Sequence, residues 1–218
     1  MLSQTEENYI KAIFSLSERD KNFETSTNKI AAKIKTKPPT VTNMLRNLKT
    51  KKLITYEKYK NVQLTSEGKK VAYQIVRKHR LWEVFLYEKL KFSWDEIHEI
   101  AEQLEHTVSD KLTDKLDEFL GFPTVDPHGD PIPDKNGKVV KLDLQTLSSA
   151  AKKKKFTIAS LSNSSDEFLK YLDKIGLSIG DIIEITDKEE FDKSIIIKYK
   201  KRLITLSDGV AKNILVSS

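Results

Sequence analysis

The sequence predicts a mainly α protein with a small β component: a basic helical N-terminal unit, an acidic helical middle and a β-rich C-terminal third. Three observations predict it. Apolar residues recur at helical spacing, with capping signals, as far as Leu120. β-branched runs cluster after residue 180, separated by polar turns. The charge also changes sign by region: residues 1–75 carry 15 basic and 7 acidic side chains, residues 76–130 carry 7 and 13, and residues 131–218 carry 16 and 12. A basic first third suits a polyanion and an acidic middle suits cations.

The bulk composition narrows the chemistry. With 218 residues the chain is long enough for one large domain or two to three small ones. It has no cysteine, which excludes disulfides, thiolate zinc sites and a cysteine nucleophile, so any metal is held through nitrogen and oxygen. No run approaches the roughly 20 apolar residues of a membrane helix. The opening Met1-Leu-Ser-Gln-Thr lacks the basic-then-apolar build of a signal peptide, and the expected location is the cytoplasm.

Ser3 and Glu6 form a capping-box pattern that opens a first helix at about 4–17, with Tyr9, Ile13, Phe14 and Leu16 facing a core. A second helix starts at Thr27, capped by Ser26 or Thr27. Lys35-Thr-Lys-Pro-Pro breaks it, and Pro39 in a first turn opens a third helix to about residue 50 through Val41, Met44, Leu45 and Leu48. Two helices joined tightly in this way have the proportions of a helix-turn-helix. Its second helix offers Asn43 to an adenine edge, Pro39 and Thr40 to a thymine methyl, and Lys37, Arg46 and Lys49 to phosphates. The runs Leu53–Tyr59 and Val62–Thr65 read as a hairpin, a wing carrying Lys58 and Lys60. The expectation is a winged helix-turn-helix.

Ser66 is the expected cap of a long helix running through Val71, Ile75, Leu81, Val84 and Leu86 to near Lys91, with His79 and Glu83 one turn apart. Ser93 with Glu96 is a second capping box. It opens a helix on which His98, Glu102, Glu105 and His106 fall within an arc of roughly 100°. A lone histidine is more often structural, but two His–carboxylate groups on successive helices supply nitrogen and oxygen donors that suit Mn²⁺ or Fe²⁺ better than a structural zinc. The apolar faces of this region, among them Trp82, Phe85, Trp94, Leu112, Leu116 and Phe119, predict dimerisation. The chain has no zincin motif, phosphate-binding glycine loop or nucleophile elbow, and an enzyme is not expected.

Residues 123–155 read as a connector, ending in a lysine run most simply taken as solvated linker. Beyond it one short helix at Ser165–Leu172 and four β-rich runs predict a small barrel. The expected division is a DNA-binding domain at 1–74, a helical dimerisation and metal-binding domain at 75–140, a linker at 141–155 and a β domain at 156–218.

Taken together, the winged helix, Lys78-His79-Arg80-Leu81, Glu83, Trp94-Asp-Glu-Ile-His98, Leu104-Glu105-His106-Thr-Val-Ser-Asp110 and Pro127-His-Gly-Asp-Pro-Ile-Pro133 resemble the diphtheria toxin repressor family. The resemblance covers about residues 1–135 closely and the motifs match in order and spacing. It implies a homodimeric transcriptional repressor that binds palindromic operator DNA, with Mn²⁺ or Fe²⁺ as corepressor for metal-uptake genes. It also implies a primary metal site of Asn8, Glu102, Glu105 and His106, and an ancillary site of His79, Glu83 and His98 with Glu167 as an added ligand. Glu102 stands where iron-type members have Cys, so the resemblance points to the manganese type. The C-terminal domain looks like the SH3-like, FeoA-type barrel of longer members. An alternative from the residues alone is a winged-helix regulator that senses an organic ligand.

Overall fold

The computed structural model describes residues 2–17, 24–57, 61–140, 142–163 and 165–217. The chain divides into two compact units. The first comprises Met1–His79, Glu102–Lys115 and Pro133–Lys138, and the second Arg80–Ala101, Leu116–Ile132 and Val139–Ser218.

In the first unit, α1 (Gln4–Ser17), α2 (Thr27–Ile34) and α3 (Pro38–Thr50) are followed by the two-residue strands β1 (Ile54–Thr55) and β2 (Gln63–Leu64). The strands pair antiparallel, Ile54 opposite Leu64, and this is the winged helix-turn-helix. Ser26 is the α2 cap, its hydroxyl accepting from the Lys29 amide. Pro38 and Pro39 fill the first turn of α3, where the missing N–H groups cost nothing. Ile10, Ile13, Ile30, Val41, Leu45, Leu48 and Val62 are fully buried and form one core. Burial of each side chain of this size contributes about 1.5–3 kcal/mol. Buried Glu6 ties α1 to the end of α3: its Oε1 accepts from Asn47 and from Lys51 Nζ, each at 2.6 Å, and its Oε2 accepts from the Ser3 amide at 2.9 Å.

Three helices follow: α4 (Ser66–Glu88), α5 (Ile97–Leu104) and α6 (Asp110–Phe119). Two expectations are corrected here. The hydroxyl that caps α4 is that of Thr65, which accepts from the Gly68 amide at 3.0 Å, so Ser66 is already the first helical residue. And α5 stops at Leu104, so Glu105 and His106 occupy the turn after the helix rather than its ligand face. There the Thr107 amide and hydroxyl both bond back to the Leu104 carbonyl, at 3.2 and 2.7 Å, closing the turn in place of a further helical bond.

The second unit carries a six-stranded antiparallel sheet in the order β3-β8-β4-β5-β6-β7. Its strands are β3 (Gln145–Thr146), β4 (Lys155–Leu161), β5 (Ile182–Lys188), β6 (Ile195–Tyr199), β7 (Arg202–Leu206) and β8 (Ile214–Ser217), with α7 (Asp166–Ile175) and the short α8 (Asp208–Ala211). Ser165 caps α7 and Gly176 ends it in a left-handed conformation. The core is Ile158, Leu172, Ile183, Ile185, Ile197 and Leu206 with their neighbours. Leu147 and Ala150 belong to that core and β3 pairs with β8, so part of the stretch read as linker is packed structure. Two-residue strands carry too little alternation to be seen in a sequence.

Candidate metal centres and nucleic-acid interface

In the first unit, α1 presents Glu7 and Lys11 one turn apart, α4 presents His79, and Glu102, Glu105 and His106 come from the end of α5 and the turn beyond it. Glu105 is completely buried. Its Oε2 lies 2.5 Å from Lys11 Nζ and 2.6 Å from His79 Nδ1, while its Oε1 has no hydrogen-bond partner. Lys11 also donates to Glu102 Oε1 at 2.6 Å. His79 Nδ1 lies 3.1 Å from Lys11 Nζ as well. A single ring nitrogen cannot donate to Glu105 and accept from Lys11 together, so only one of these two contacts is a hydrogen bond at a time. His106 Nδ1 contacts Glu7 Oε2 at 2.6 Å, and its Nε2 lies 3.9 Å from Glu105 Oε1.

Of the expected primary ligands, Glu102, Glu105 and His106 are therefore brought together, and His79 joins them. Asn8 is exposed, and the α1 residue that reaches His106 is Glu7. Helical spacing alone marks Glu7 and Lys11 as one face of α1, but nothing in the sequence distinguishes that face from a solvated one.

In the second unit, buried Glu83 meets His98 Nδ1 at 3.2 Å and His128 Nδ1 at 3.8 Å. Glu83, Asp126 and His128 are all buried, with one ligand-type atom of each lying within 4.8 Å of the others. Burial, with Glu83 and Asp130 nearby, pushes the Asp126 carboxyl up to about 8 despite the opposing charges of Arg80 and His128. Burial works against a charged His128, but its hydrogen bond to Glu83 and the surrounding carboxylates outweigh this and raise its pKa. His128 Nε2 has no hydrogen-bond partner. The loop is firmly seated. Asp126 Oδ1 accepts the His128 and Asp130 amides at 2.8 and 2.9 Å, Trp94 stacks on the His128 ring, and the Trp94 indole donates to the Pro127 carbonyl. Gly129, at φ +80, allows the loop to approach β4, because a Cβ there would lie 2.0 Å from the Ala159 carbonyl oxygen.

Glu83 and His98 are thus in contact as expected, His79 bonds to Glu105, and Glu167 stands exposed on the first turn of α7. Asp126 and His128 were not singled out as ligands from the sequence. The Pro-His-Gly-Asp-Pro run holds the available signal, a histidine and acids in a tight turn. Both clusters pair carboxylate with imidazole, and each contains a buried ligand-type atom with no protein partner. Buried polar atoms are rarely left so; a divalent cation would satisfy Glu105 Oε1 directly, and His128 Nε2 once that ring gives up its proton.

On the nucleic-acid side, Lys37, Pro39, Thr40, Asn43, Arg46 and Lys49 are all exposed, opposite buried Val41, Leu45 and Leu48. The wing residues Lys58 and Lys60 lie outside the described residues. Glu24 braces β2 through Gln63 at 2.6 Å, and Thr25 pairs with Val62.

Comparison with known proteins adds three family matches: the iron dependent repressor N-terminal DNA binding domain over residues 1–62, the iron dependent repressor metal binding and dimerisation domain over 65–134, and the FeoA domain over 145–218. The chain is 30% identical over 132 residues to the iron-dependent repressor IdeR of Mycobacterium leprae (strain TN), a match covering 61% of this chain and 56% of that protein. A diphtheria toxin repressor from Corynebacterium jeikeium (strain K411) matches at 30% over 61% of the chain and 54% of its own length. The chain thus spans about half the length of these curated relatives. Solved structures match along nearly the whole chain. One is a manganese-dependent transcriptional repressor in complex with manganese: TM-score 0.87, 33% identity, covering 98% of this chain and 99% of that one. Another is ScaR with bound Cd²⁺: TM-score 0.80, 33% identity, covering 97% and 98%.

Proposed function

Because this chain belongs to the diphtheria toxin repressor family of metal-dependent transcriptional repressors, we propose that it is a metal-activated DNA-binding repressor of metal-homeostasis genes, acting in the cytoplasm as a homodimer on palindromic operators. The observation that carries this reading is the first cluster. It joins α1 of the winged helix-turn-helix to the turn after α5 through groups that bind divalent cations, with Glu105 Oε1 left over for the ion. The primary centre is Glu102, Glu105 and His106. Glu7 orients His106, His79 supports Glu105, and exposed Asn8 is within the same turn of α1. The second centre is Glu83 with His98, Asp126 and His128, and Glu167 is dispensable to it.

When bound, the cation supplies positive charge that neutralises these carboxylates. The chain's own groups do the coupling: Glu105 and His106 hold the turn after α5, while Glu7 and Lys11 hold α1. Cation binding favours DNA only as far as it favours the arrangement of α1 in which α3 fits the groove. Mn²⁺ is the favoured ion, since every donor is nitrogen or carboxylate oxygen and the chain has no thiolate. Dimerisation uses the exposed apolar group Leu90, Phe119 and Phe122. The working division is 1–74, 75–140 and 156–218, with 141–155 a connector whose residues from Gln145 pack into the last domain, and with no catalytic role.

Operator binding titrated with Mn²⁺, Fe²⁺ and Zn²⁺ tests this reading. Binding should vanish with chelator, return with Mn²⁺, and be lost in Glu105→Gln. Specific binding that ignores both chelator and Glu105→Gln would point to a regulator sensing an organic ligand instead.

A further inference from the structure

Resting on that metal reading, we propose that the Lys11 ammonium is a tethered cation already occupying part of the first centre, so that a divalent ion binds in competition with it and Lys11 sets the affinity low. Lys11 is mostly buried, its side chain 16% exposed, and it reaches two of the centre's carboxylates, Glu102 Oε1 at 2.6 Å and Glu105 Oε2 at 2.5 Å. Glu105 is fully buried, so neither its charge nor that of the ammonium is screened as on a surface.

The competition follows from charge and from atoms. Glu7, Glu102 and Glu105 bring three negative charges and Lys11 returns one positive, so an ion entering the cluster meets weaker attraction and a like charge within a few ångströms. Moving the ammonium away would strip two carboxylates of their partner. An ion therefore either shares them with Lys11 or takes the opposite side, where Glu105 Oε1 and His106 Nε2 stand 3.9 Å apart. Lys11 also joins α1 to α5 in the absence of any ion, through the same carboxylates. It thus lowers the affinity of the centre while keeping its two halves assembled.

The alternative is that Lys11 is a structural ion pair only. In that case removing its charge leaves an unpaired buried carboxylate and a looser centre, and metal binding weakens. Tethered competition gives the opposite sign. The experiment is direct Mn²⁺ binding by calorimetry and equilibrium dialysis on the full chain. It compares wild type, Lys11→Met, Lys11→Gln and Glu105→Gln without DNA, with circular dichroism to confirm folding.

The ion lost in Glu105→Gln identifies the first centre. For that ion, Lys11→Met should bind at least tenfold more tightly than wild type, and Lys11→Gln should shift the same way. Unchanged or weaker binding in the folded variant overturns the proposal. If Lys11→Met does not fold, the polar Lys11→Gln decides by the same criterion. Should wild type and Glu105→Gln bind the same number of ions, the metal reading of this centre fails, and the inference with it.

Discussion

Glu6 is the residue whose chemistry is most fully specified. Its carboxylate is buried among three donors, and the Lys51 hydrogen bond, then the Ser3 amide, hold its pKa below the ordinary 4.5 against the opposing effect of burial. A carboxyl whose pKa is lower folded than unfolded contributes stability that is fully present above the unfolded value and is lost as pH falls through the folded one. Glu6→Gln should therefore cost about 1.5–3 kcal/mol at neutral pH, the range for a hydrogen bond to a charged group. The gap between variant and wild type should close as pH drops below 4.5. Urea unfolding at several pH values, with chelator present so that ion binding at the neighbouring centre does not contribute, measures both. A gap that persists unchanged in acid would show that Glu6 acts through shape rather than charge.

At the scale of elements, the loop from Asp126 to Ile132 shows how backbone conformation serves a side-chain site. Asp126 folds the loop by accepting two amides, and the Leu161 amide donates to the His128 carbonyl at 3.2 Å. Gly129→Ala places a Cβ against the Ala159 carbonyl in a left-handed conformation, and should cost at least about 2 kcal/mol in thermal unfolding. Because the displaced loop carries His128, the Glu83-dependent ion should bind more weakly while the Glu105-dependent ion is unaffected. Equal weakening of both would instead indicate general destabilisation. Elements were legible in the sequence where periodicity and caps agree, as in α1, α2 and α3, whose buried stripes are those that the spacing marks. The end of α5 was not legible: Ile97 to Val108 continues a helical pattern, and only the backbone turn at Leu104 separates Glu105 and His106 from the face that His98 and Glu102 share. The second centre was half legible for a similar reason. Glu83 and His98 stand on helices whose phase can be counted, whereas Asp126 and His128 reach Glu83 through a loop that no periodicity describes.

For the whole molecule the decisive question is how many recognition helices engage DNA at once. On the proposed reading, exposed Arg46 and Lys49 are the phosphate contacts of α3, and Asn43 the base contact. Each phosphate neutralised steepens the fall of log affinity with log salt by about 0.9. In a homodimer on a palindrome every substitution acts twice. Lys49→Ala should therefore flatten the salt dependence of operator binding by about 2, where a single engaged chain would lose about 1. Asn43→Ala should leave that slope unchanged and instead relax the preference at one base pair in each half-site, costing about 1–3 kcal/mol per contact. Mn²⁺-saturated binding measured across a salt series with symmetric, half-site and mutated operators reads slope and preference together. A slope change near 1 on the symmetric operator would mean that one chain, not two, carries recognition. No change would remove Lys49 from the phosphate contacts altogether. On the proposed reading the metal-saturated protein is the state to compare, because residues 76–130 carry 7 basic and 13 acidic side chains and bound cations would offset part of that negative charge.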